Sequence, residues 1–436
     1  MTEKKPLESL AATRTTKRRL RQRNVSGATS QSGGKGWRRK KAAAKSHPTF
    51  GKKIIAAFLA IICLNWLTVF AFYKTIASDS DEALKKTQTD FGRSTTVHPT
   101  KPLTVLLLGV DMDEGTRGSS FEGGRSDSMI VATINPKTKK TTMVSLARDT
   151  YVALANADGT PTGQVEKLNH AFAYGGAQKT RTTVEKMLDI TIDKVVQINM
   201  DGLRSLVDTI GGITVNNTLG FPISIEETEP DFTAVIPPGR QHINGEQALV
   251  YARMRHQDPA GDFGRQERQR EVVQAILKKV LSIDIASQYK QILSAVSDNI
   301  QTDIELNSKT IPELLAFSDA LKHIQSLQLK GEAYDVGGSS YIVPTAQDVL
   351  AVQNDLKRSL GEKTETDLKT NIQLYEMVYG LSSSIAVINP FTGEEIPMGY
   401  SAETTDEAVY QEYDSSVSEA SNTSADQAYP SMFDEW

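Results

Sequence analysis

An uncharged apolar run near the N-terminus is the feature that most constrains how this chain folds. Ile54 to Tyr73 reads IIAAFLAIICLNWLTVFAFY and contains no charged residue. As a helix, a run of this length rises about 30 Å, which matches the hydrocarbon thickness of a bilayer. A buried helix of a soluble domain is the alternative, but such helices seldom reach this length without a charge. The sequence therefore predicts one transmembrane helix over residues 54–73.

The charges on the two sides of this run are opposite. Residues 1–53 contain 16 Lys and Arg residues and two acidic ones, a net charge of +14, whereas residues 54–436 carry a net charge of −18. Because basic flanks stay in the cytoplasm, we expect a single-pass protein of the cell membrane with residues 1–53 inside and the acidic part outside. The basic tail is poor in apolar residues and should be disordered. It lacks a folded DNA reader, so we expect attraction to anionic lipid headgroups and no specific nucleic acid.

Outside the membrane, three further regions are predicted. Residues 74–102 are polar and read as a linker, residues 103–362 as a folded domain, and residues 363–436 as a C-terminal extension. From about residue 401 the extension is acidic and has no Lys or Arg, which predicts disorder. The only cysteine, Cys63, lies inside the apolar run, so the outer domain must be stable without disulfides.

Strand-like and helix-like segments alternate within the folded domain. LTVLLLGV at residues 103–110 is typical of a buried strand, and further strands are predicted at SMIVATINP, KTTMVSLA and KVVQINM. Helices are predicted over LRSLVDTI, after Asn244 as a capping residue, and over Arg265–Leu281. Strands interleaved with helices favour a layered α/β domain.

Two carboxylates lie near the ends of predicted strands. Asp111 directly follows the first strand, and Asp127 precedes the second. Ligands of α/β sheets gather outside the carboxyl ends of strands, so Asp111 is well placed for binding. Two hard oxygen ligands that leave room for water and phosphate oxygens suit Mg²⁺. The alternative is that Asp127 is a turn or capping residue.

Arginines cluster in this otherwise acidic region. Arg125 and Arg148 flank one predicted strand pair, and Arg253 and Arg255 are two residues apart. Further along, Arg265 and Gln269 share one helix face near the N-terminus of that helix, where the helix dipole and free N–H groups favour anions. Guanidinium groups bind phosphate oxygens in pairs. The pattern indicates a phosphate or pyrophosphate site, with a solvated basic helix face as the alternative.

Six motif segments follow one another along the folded domain. They read LLLGVD, GGRSDSMIVATINPKTKKTTMVSLARDTYV, KLNHAFAYGG, VVQINMDGLRSLVDTIGGITVN, IPPGRQHINGEQALVYARMR and DFGRQERQREVV. Together they resemble the LytR-CpsA-Psr proteins of Gram-positive cell envelopes. The resemblance extends over roughly Leu103 to Gly361, and the basic tail, single span and outer domain also fit.

The resemblance implies both a fold and an activity. The implied fold is an α/β/α sandwich with a central mixed sheet and an apolar pocket for a polyprenyl chain. The implied activity is transfer of a glycopolymer from an undecaprenyl-pyrophosphate carrier to the C6 hydroxyl of muramic acid in peptidoglycan, which forms a phosphodiester. The polymer itself is left open between teichoic acid, capsule and other glycopolymers. The apolar stretches VLLLGV and HAFAYGG are candidates for lining the lipid pocket.

The resemblance also implies roles for individual residues. Asp111 and Asp127 would hold Mg²⁺, with Mn²⁺ as the alternative. Arg148 and Arg255 would act in the reaction with Asp149 and Asp262, either of which is a candidate base; His170 and His256 lie near the motifs but read as structural. The residues implied to bind the lipid pyrophosphate are Arg125, Arg148, Lys167, Arg253, Arg255, Arg265 and Gln269.

Two other functions are compatible with the sequence. One is a membrane-bound transcriptional attenuator that acts through the basic tail. The other is a polyprenyl-pyrophosphate hydrolase, in which water replaces the acceptor hydroxyl while the same residues serve. Only the reaction products distinguish the hydrolase from the transferase.

Overall fold

A computed structural model describes part of the chain. The described residues are 87–93, 95–111, 121, 124–282, 291–292, 294–305 and 310–399. They belong to the second of two compact units, which extends over residues 67–436. The predicted transmembrane helix, the basic tail and the acidic region from residue 401 lie outside the described residues. Within the described ranges, no helix is both long enough and apolar enough to cross a membrane.

The described part of the domain begins with five strands, after which helices and strands are interspersed. The strands are β1 (Leu103–Asp111), β2 (Arg125–Asn135), β3 (Lys140–Leu146), β4 (Tyr151–Ala155), β5 (Pro161–Lys167), β6 (Lys194–Asn199), β7 (Ile213–Asn217), β8 (Gly239–Ile243), β9 (Ile300–Thr302), β10 (Ile324–Gln328), β11 (Glu332–Val336), β12 (Ser339–Val343), β13 (Leu368–Lys369), β14 (Val387–Ile388) and β15 (Glu395–Ile396). The helices are α1 (His170–Leu188), α2 (Met200–Thr209), α3 (Gly245–Arg253), α4 (Gly261–Ser282), α5 (Thr310–Leu315), α6 (Ala346–Leu360) and α7 (Tyr375–Val378).

The central sheet is mixed, as the family resemblance implies. Its strand order is β10-β3-β2-β1-β6-β9. β2 runs antiparallel to β1 and β3, whereas β6 runs parallel to β1 and β10 runs parallel to β3. The short hairpin between β2 and β3 accounts for the antiparallel centre, because Asn135 Oδ1 accepts the N–H groups of Lys137 and Thr138 and closes a tight turn.

Helices cover both faces of this sheet. On β2, Met129 and Val131 belong to the large core that includes residues of α1 and α6. The alternate residues Ile130 and Ala132 belong to a second cluster, which Val273 of α4 joins. Because successive strand residues point to opposite faces, this alternation places α1 and α6 on one face and α4 on the other.

Three predicted segments are close to those observed. The strand predicted at residues 103–110 is β1, and Asn244 caps α3 through a capping box with Gln247. The helix predicted to begin at Arg265 begins four residues earlier, at Gly261. The earlier start follows from a turn around Asp258, whose side chain accepts the Ala260 N–H group and whose carbonyl accepts the Gly261 N–H group.

The described part of the predicted C-terminal extension packs on the same core as the domain before it. Leu368, Ile372, Leu374 and Val387 are buried in the large core cluster. Asn371 binds back to the carbonyl of Ala153 on β4. Residues 363–399 therefore belong to the described fold, and the boundary at residue 362 stays a prediction.

Candidate functional site

Two aspartates meet where β1 ends. Gly109 pairs with Ser128 and Val110 pairs with Ser126, so Asp127 is the extra residue of a β-bulge. A bulge turns the local side chains away from the regular alternation of the strand. Asp127 and the next residue, Ser128, consequently both line one cavity with Asp111, the last residue of β1. Asp127 thus lies inside β2, not in the turn before it.

A cavity of about 610 Å³ lies between the sheet and helices α2, α3 and α4. Its lining changes from polar to apolar along both β1 and α4. On β1, Asp111 follows Leu107, and on α4 the order is Arg265, Gln269, Val273, Ile276. Since an α-helix rises about 1.5 Å per residue, the apolar end of the α4 wall is more than one turn from its polar end. Part of the stretch VLLLGV lines this cavity, whereas Ala171 and Phe172 of HAFAYGG are packed in the core.

A smaller polar cleft of about 340 Å³ shares residues with the apolar cavity. Asp111, Asp127 and Arg148 line both of them. The other residues of the cleft are Arg125, Asp149, Lys167, Asn169, His170 and Ser339. The two spaces therefore meet at Asp111, Asp127 and Arg148, which we call the junction.

Arg148 is the centre of a charge network at the junction. Its Nη1 donates to Asp127 Oδ2 at 2.8 Å, and its Nε lies 3.4 Å from Asp149 Oδ2. Lys167 Nζ lies 3.0 Å from the other oxygen of Asp149. Burial opposes the charge of Arg148, but Asp127, Asp149 and Asp262 outweigh it and raise the pKa of the guanidinium. Arg148 is thus held charged and oriented between the two spaces.

Arg253 is fixed by an acidic residue that sequence reasoning missed. Its Nε and Nη2 contact the two carboxylate oxygens of Glu229 at 3.2 and 2.6 Å, and its Nη1 lies 3.4 Å from Asp111 Oδ2. Glu229 lies in a connection without strand or helix periodicity, and it is far from Arg253 in sequence. No local pattern marks it, because the pair exists only once the connection packs against the end of α3.

Arg265 is a buried arginine with an N–H group that donates no hydrogen bond among the described residues. Its side chain is 9% exposed and its Nη2 lies 2.6 Å from Asp262 Oδ1. Within the described part of the chain, neither its Nε nor the Nε of Arg148 donates a hydrogen bond of good geometry. Burial and the neighbouring Arg148 and Arg255 lower the pKa of Arg265, against the opposing effect of Asp262. A buried cation with open donors is a suitable partner for an anion.

The remaining predicted residues divide between the two spaces. Arg255 and Gln269 line the apolar cavity, and Arg125 and Lys167 line the cleft. Among the described residues, Arg255 has no carboxylate partner, so its charge is available to a ligand. Asp262 lines neither space, and its carboxylate contacts Arg265.

The two histidines occupy different positions. His170 Nδ1 lies 3.1 Å from Glu166 Oε2, and the centre of its ring lies 5.7 Å from that of Tyr174, with the two rings tilted by 57°. His256 is exposed at the cavity rim. His170 lines the cleft and His256 lines the cavity, and the structural role predicted for each stays a prediction.

The donor set at the junction fits a divalent metal of the Mg²⁺ type. Asp111 and Asp127 supply hard carboxylate oxygens in one cavity. The described residues contain no group of three or more His, Cys, Asp or Glu side chains that could hold a metal alone. Mg²⁺ is commonly held by one or two carboxylates together with waters and substrate phosphates, so two aspartates suffice.

Known proteins are similar to this chain in sequence and in fold. A profile of the LytR_cpsA_psr family matches residues 67–358. Biofilm regulatory protein A of Streptococcus mutans is 51% identical over 341 residues, 77% of this chain and 84% of that protein. The polyisoprenyl-teichoic acid–peptidoglycan teichoic acid transferase TagU of Enterococcus faecalis is 42% identical over 318 residues, 72% of this chain and 99% of that protein.

A solved structure described as TagT bound to LIIa-WTA has the same fold. The two chains share 32% identity with a TM-score of 0.50, and the match covers 62% of this chain and 95% of the other. The profile match alone extends over more than half of this chain. The chain therefore belongs to the LytR-CpsA-Psr family, as its motifs predict.

Proposed function

We propose that this protein transfers a glycopolymer from a polyisoprenyl-pyrophosphate carrier to peptidoglycan. The observation that carries the proposal is the junction, where an apolar cavity and a charged cleft meet at Asp111, Asp127 and Arg148. A substrate with a lipid tail, a diphosphate and a sugar polymer has the same order of apolar, anionic and polar parts. The name of the Enterococcus relative supports this substrate class.

The lipid tail of the donor would occupy the apolar cavity. Leu107, Ile130, Val273 and Ile276 present branched side chains to this space. Burial of each methylene group contributes about 0.8 kcal/mol, so a polyisoprenyl chain binds there without polar contacts. The tail then places the diphosphate at the mouth of the cavity.

The diphosphate would lie among the arginines at the junction. Arg148 and Arg265 each have a buried Nε that donates no hydrogen bond among the described residues, and Arg255 has no carboxylate partner there. Arg148 and Arg265 are already oriented by Asp127 and Asp262, so little reorganisation of these two is needed as charge builds on the phosphoryl oxygens.

The transfer step joins the acceptor hydroxyl to the phosphorus that carries the sugar. A new phosphorus–oxygen bond forms to the acceptor, and the bond to the bridging oxygen breaks. The lipid phosphate leaves, and the hydroxyl proton passes to a carboxylate. Asp149 lines the cleft and Asp262 lines neither space, so Asp149 is the better placed base. We take the C6 hydroxyl of muramic acid as the acceptor.

Asp111 and Asp127 would hold Mg²⁺ at the junction, or Mn²⁺ in its place. The metal would supply positive charge next to the diphosphate. Each aspartate also contacts an arginine, Arg253 for Asp111 and Arg148 for Asp127. The arginines therefore neutralise the aspartates before a metal and a diphosphate bind.

We further propose that the protein is anchored in the cell membrane by residues 54–73, with its catalytic domain outside the cell. The apolar run and the net charge of +14 on residues 1–53 support this placement. Anchoring raises the local concentration of the enzyme around a donor whose lipid tail also lies in the bilayer.

The test is an assay with a lipid-pyrophosphate-linked sugar polymer, peptidoglycan and Mg²⁺. Asp127→Ala and Arg255→Ala should each lower transfer by at least about a hundredfold. The first removes the carboxylate that orients Arg148 and would hold the metal, and the second removes a positive charge beside the diphosphate. Arg240→Ala serves as the control, since Arg240 is exposed on β8 and lines neither space. Wild-type activity in both site variants would refute the assignment. Free polymer phosphate, instead of polymer linked to peptidoglycan, would identify a hydrolase.

A further inference from the structure

Five tyrosines form a continuous aromatic row beside the polar cleft. Neighbouring ring centroids are 4.3 Å apart for Tyr341 and Tyr151, 6.2 Å for Tyr151 and Tyr334, 5.7 Å for Tyr334 and Tyr379, and 4.7 Å for Tyr379 and Tyr375. We call these residues the tyrosine row. Its members come from β4, from both strands of the β11–β12 hairpin and from the segment around α7.

The tyrosine row begins at the cleft itself. Lys167, which lines the cleft, is paired across the β4–β5 hairpin with Tyr151, and its Nζ lies 5.7 Å from the centre of the Tyr341 ring. On β12, Ser339 also lines the cleft and lies two residues before Tyr341, so both side chains are on one face of the hairpin. The row is therefore an extension of the cleft wall.

Backbone hydrogen bonds hold the row in place. Ile342 donates to the carbonyl of Asp149 at 2.8 Å, which joins β12 to the start of β4. Tyr375 donates to the carbonyl of Pro344 at 2.9 Å, and the Glu376 carboxylate accepts the N–H group of Ala346 at the start of α6. The rings are thus presented by fixed backbone, which limits the entropy lost when a ligand binds.

The rings remain accessible to a ligand. Tyr379 is 49% exposed, and the other four tyrosines are partly exposed. Leu381, two residues after Tyr379, is 46% exposed and extends the apolar surface. Contiguous exposed apolar surface with a polar rim marks a binding site, and tyrosine offers a flat apolar face together with a polar tip. Sugar rings, which have apolar C–H faces and polar edges, suit such a surface.

The charge beside the row decides between the two glycans of the reaction. Residues 332–343 and 375–381, which carry four of the five tyrosines, contain Glu332, Asp335 and Glu376 and no Lys or Arg. A phosphate-rich polymer would be repelled by these carboxylates. A peptidoglycan strand carries no phosphate, and its lactyl carboxyls are uncharged where they are amide-linked to stem peptides. The only cation in contact with the row among the described residues, Lys167, lies at its cleft end.

The geometry points to the tyrosine row as the binding track for the acceptor, the amino-sugar strand of peptidoglycan. This assignment rests on the proposed function for the identity of the acceptor. The strand lies along the rings from Tyr375 towards Tyr341, and its end at Lys167 and Ser339 brings a sugar hydroxyl into the cleft beside Asp149. The row is a binding element, and it takes no part in bond making.

The test measures binding directly and needs no transfer. The probes are soluble peptidoglycan strands that keep their stem peptides, so that the lactyl carboxyls stay amide-linked, and a soluble poly(polyol phosphate) teichoic acid. Titration calorimetry is performed on the full chain in detergent for Tyr379→Ala and Tyr334→Ala, for the matching Phe variants and for Leu315→Ala. Leu315 is 46% exposed on α5 and lines neither space, so it is the matched control.

Each Ala variant should weaken strand binding by roughly 3- to 10-fold, since one aromatic contact contributes about 0.5–1.5 kcal/mol. The Phe variants and Leu315→Ala should bind within about twofold of the wild type, because they keep the rings. Equal strand binding by the Ala variants and the wild type would overturn the assignment. Two other outcomes would also overturn it. One is that the Ala variants lose teichoic acid binding and keep strand binding, and the other is that the wild-type protein binds no strand. Strand binding that depends on the tyrosines without any transfer would support the track and contradict the proposed function.

Discussion

At the scale of single residues, the site depends on carboxylates that hold arginines in position. Asp127 accepts from Arg148, and Glu229 contacts two nitrogens of Arg253. A planar guanidinium held at two points presents its remaining N–H groups in a fixed direction. The acidic residues around the site therefore organise the cationic ones and do not simply oppose the binding of phosphate.

The Glu229–Arg253 pair gives a prediction at this scale. Glu229→Ala should raise the KM for the donor about tenfold and leave kcat nearly unchanged, because Arg253 loses its orientation. In an Arg253→Ala background, Glu229→Ala should have little further effect on KM. This corresponds to a coupling free energy of about 1.4 kcal/mol between the two side chains. Steady-state kinetics of the four proteins measure this coupling.

Glu226→Ala is the matched control, since Glu226 is exposed in the same segment and lines neither space. Additive effects of the Glu229 and Arg253 substitutions would show that the pair does not act as a unit.

At the scale of elements, the connection between α3 and α4 sets where the arginines lie. Arg268 reaches back from α4 to the carbonyls of Tyr251 and Met254 and to the Asp258 carboxylate. Both partners of the Arg268–Asp258 pair are buried, so the loss of one leaves an uncompensated charge. This pair holds the short connection that carries Arg255 against the N-terminus of α4.

Gly264 leaves room for the Arg268–Asp258 pair, and this gives a prediction at the scale of elements. A Cβ atom at this position would collide with the Asp258 carboxylate. Gly264→Ala should therefore lower the free energy of unfolding by about 3 kcal/mol, although alanine is the better helix former. Urea denaturation measures the change. Glu267→Ala, an exposed substitution on the same helix, should stay within about 0.5 kcal/mol of the wild type, and an equally mild effect at Gly264 would contradict the argument.

At the scale of the whole molecule, the apolar cavity and the polar cleft act on different parts of one substrate. The cavity lies between the sheet and the helices on one face, and the cleft is bounded by β5 and by the β11–β12 hairpin. Only the junction belongs to both. Changes deep in the cavity should therefore affect lipid recognition without changing the charged groups.

Val273→Trp tests this separation. The larger side chain should fill part of the cavity and lower kcat/KM for a long polyisoprenyl donor about tenfold, the equivalent of two displaced methylene groups. A donor with a short tail should react nearly as well as with the wild type, which kinetic comparison of the two donors measures. Lys278→Trp, exposed on the same helix, is the control, and an equal loss with both donors would contradict a lipid cavity.

Some of the site was predictable from local sequence. The i, i+4 spacing of Arg265 and Gln269 places both on one face of α4, and both line the cavity. The apolar run before Asp111 predicts β1 and places the aspartate at its carboxyl end. Glu229 and the tyrosine row were not predictable, because their contacts join segments that are distant in the chain and lack a periodic pattern.

By itself, the sequence determined the family, the mixed α/β class and the residue types that form the site. These follow from short-range patterns: apolar runs, helix spacing and motif order. Only the tertiary structure decided that an apolar cavity and a charged cleft share Asp111, Asp127 and Arg148, and that five tyrosines continue the cleft wall. The physical reason is that a cavity is a space between elements, and its shape depends on how those elements pack.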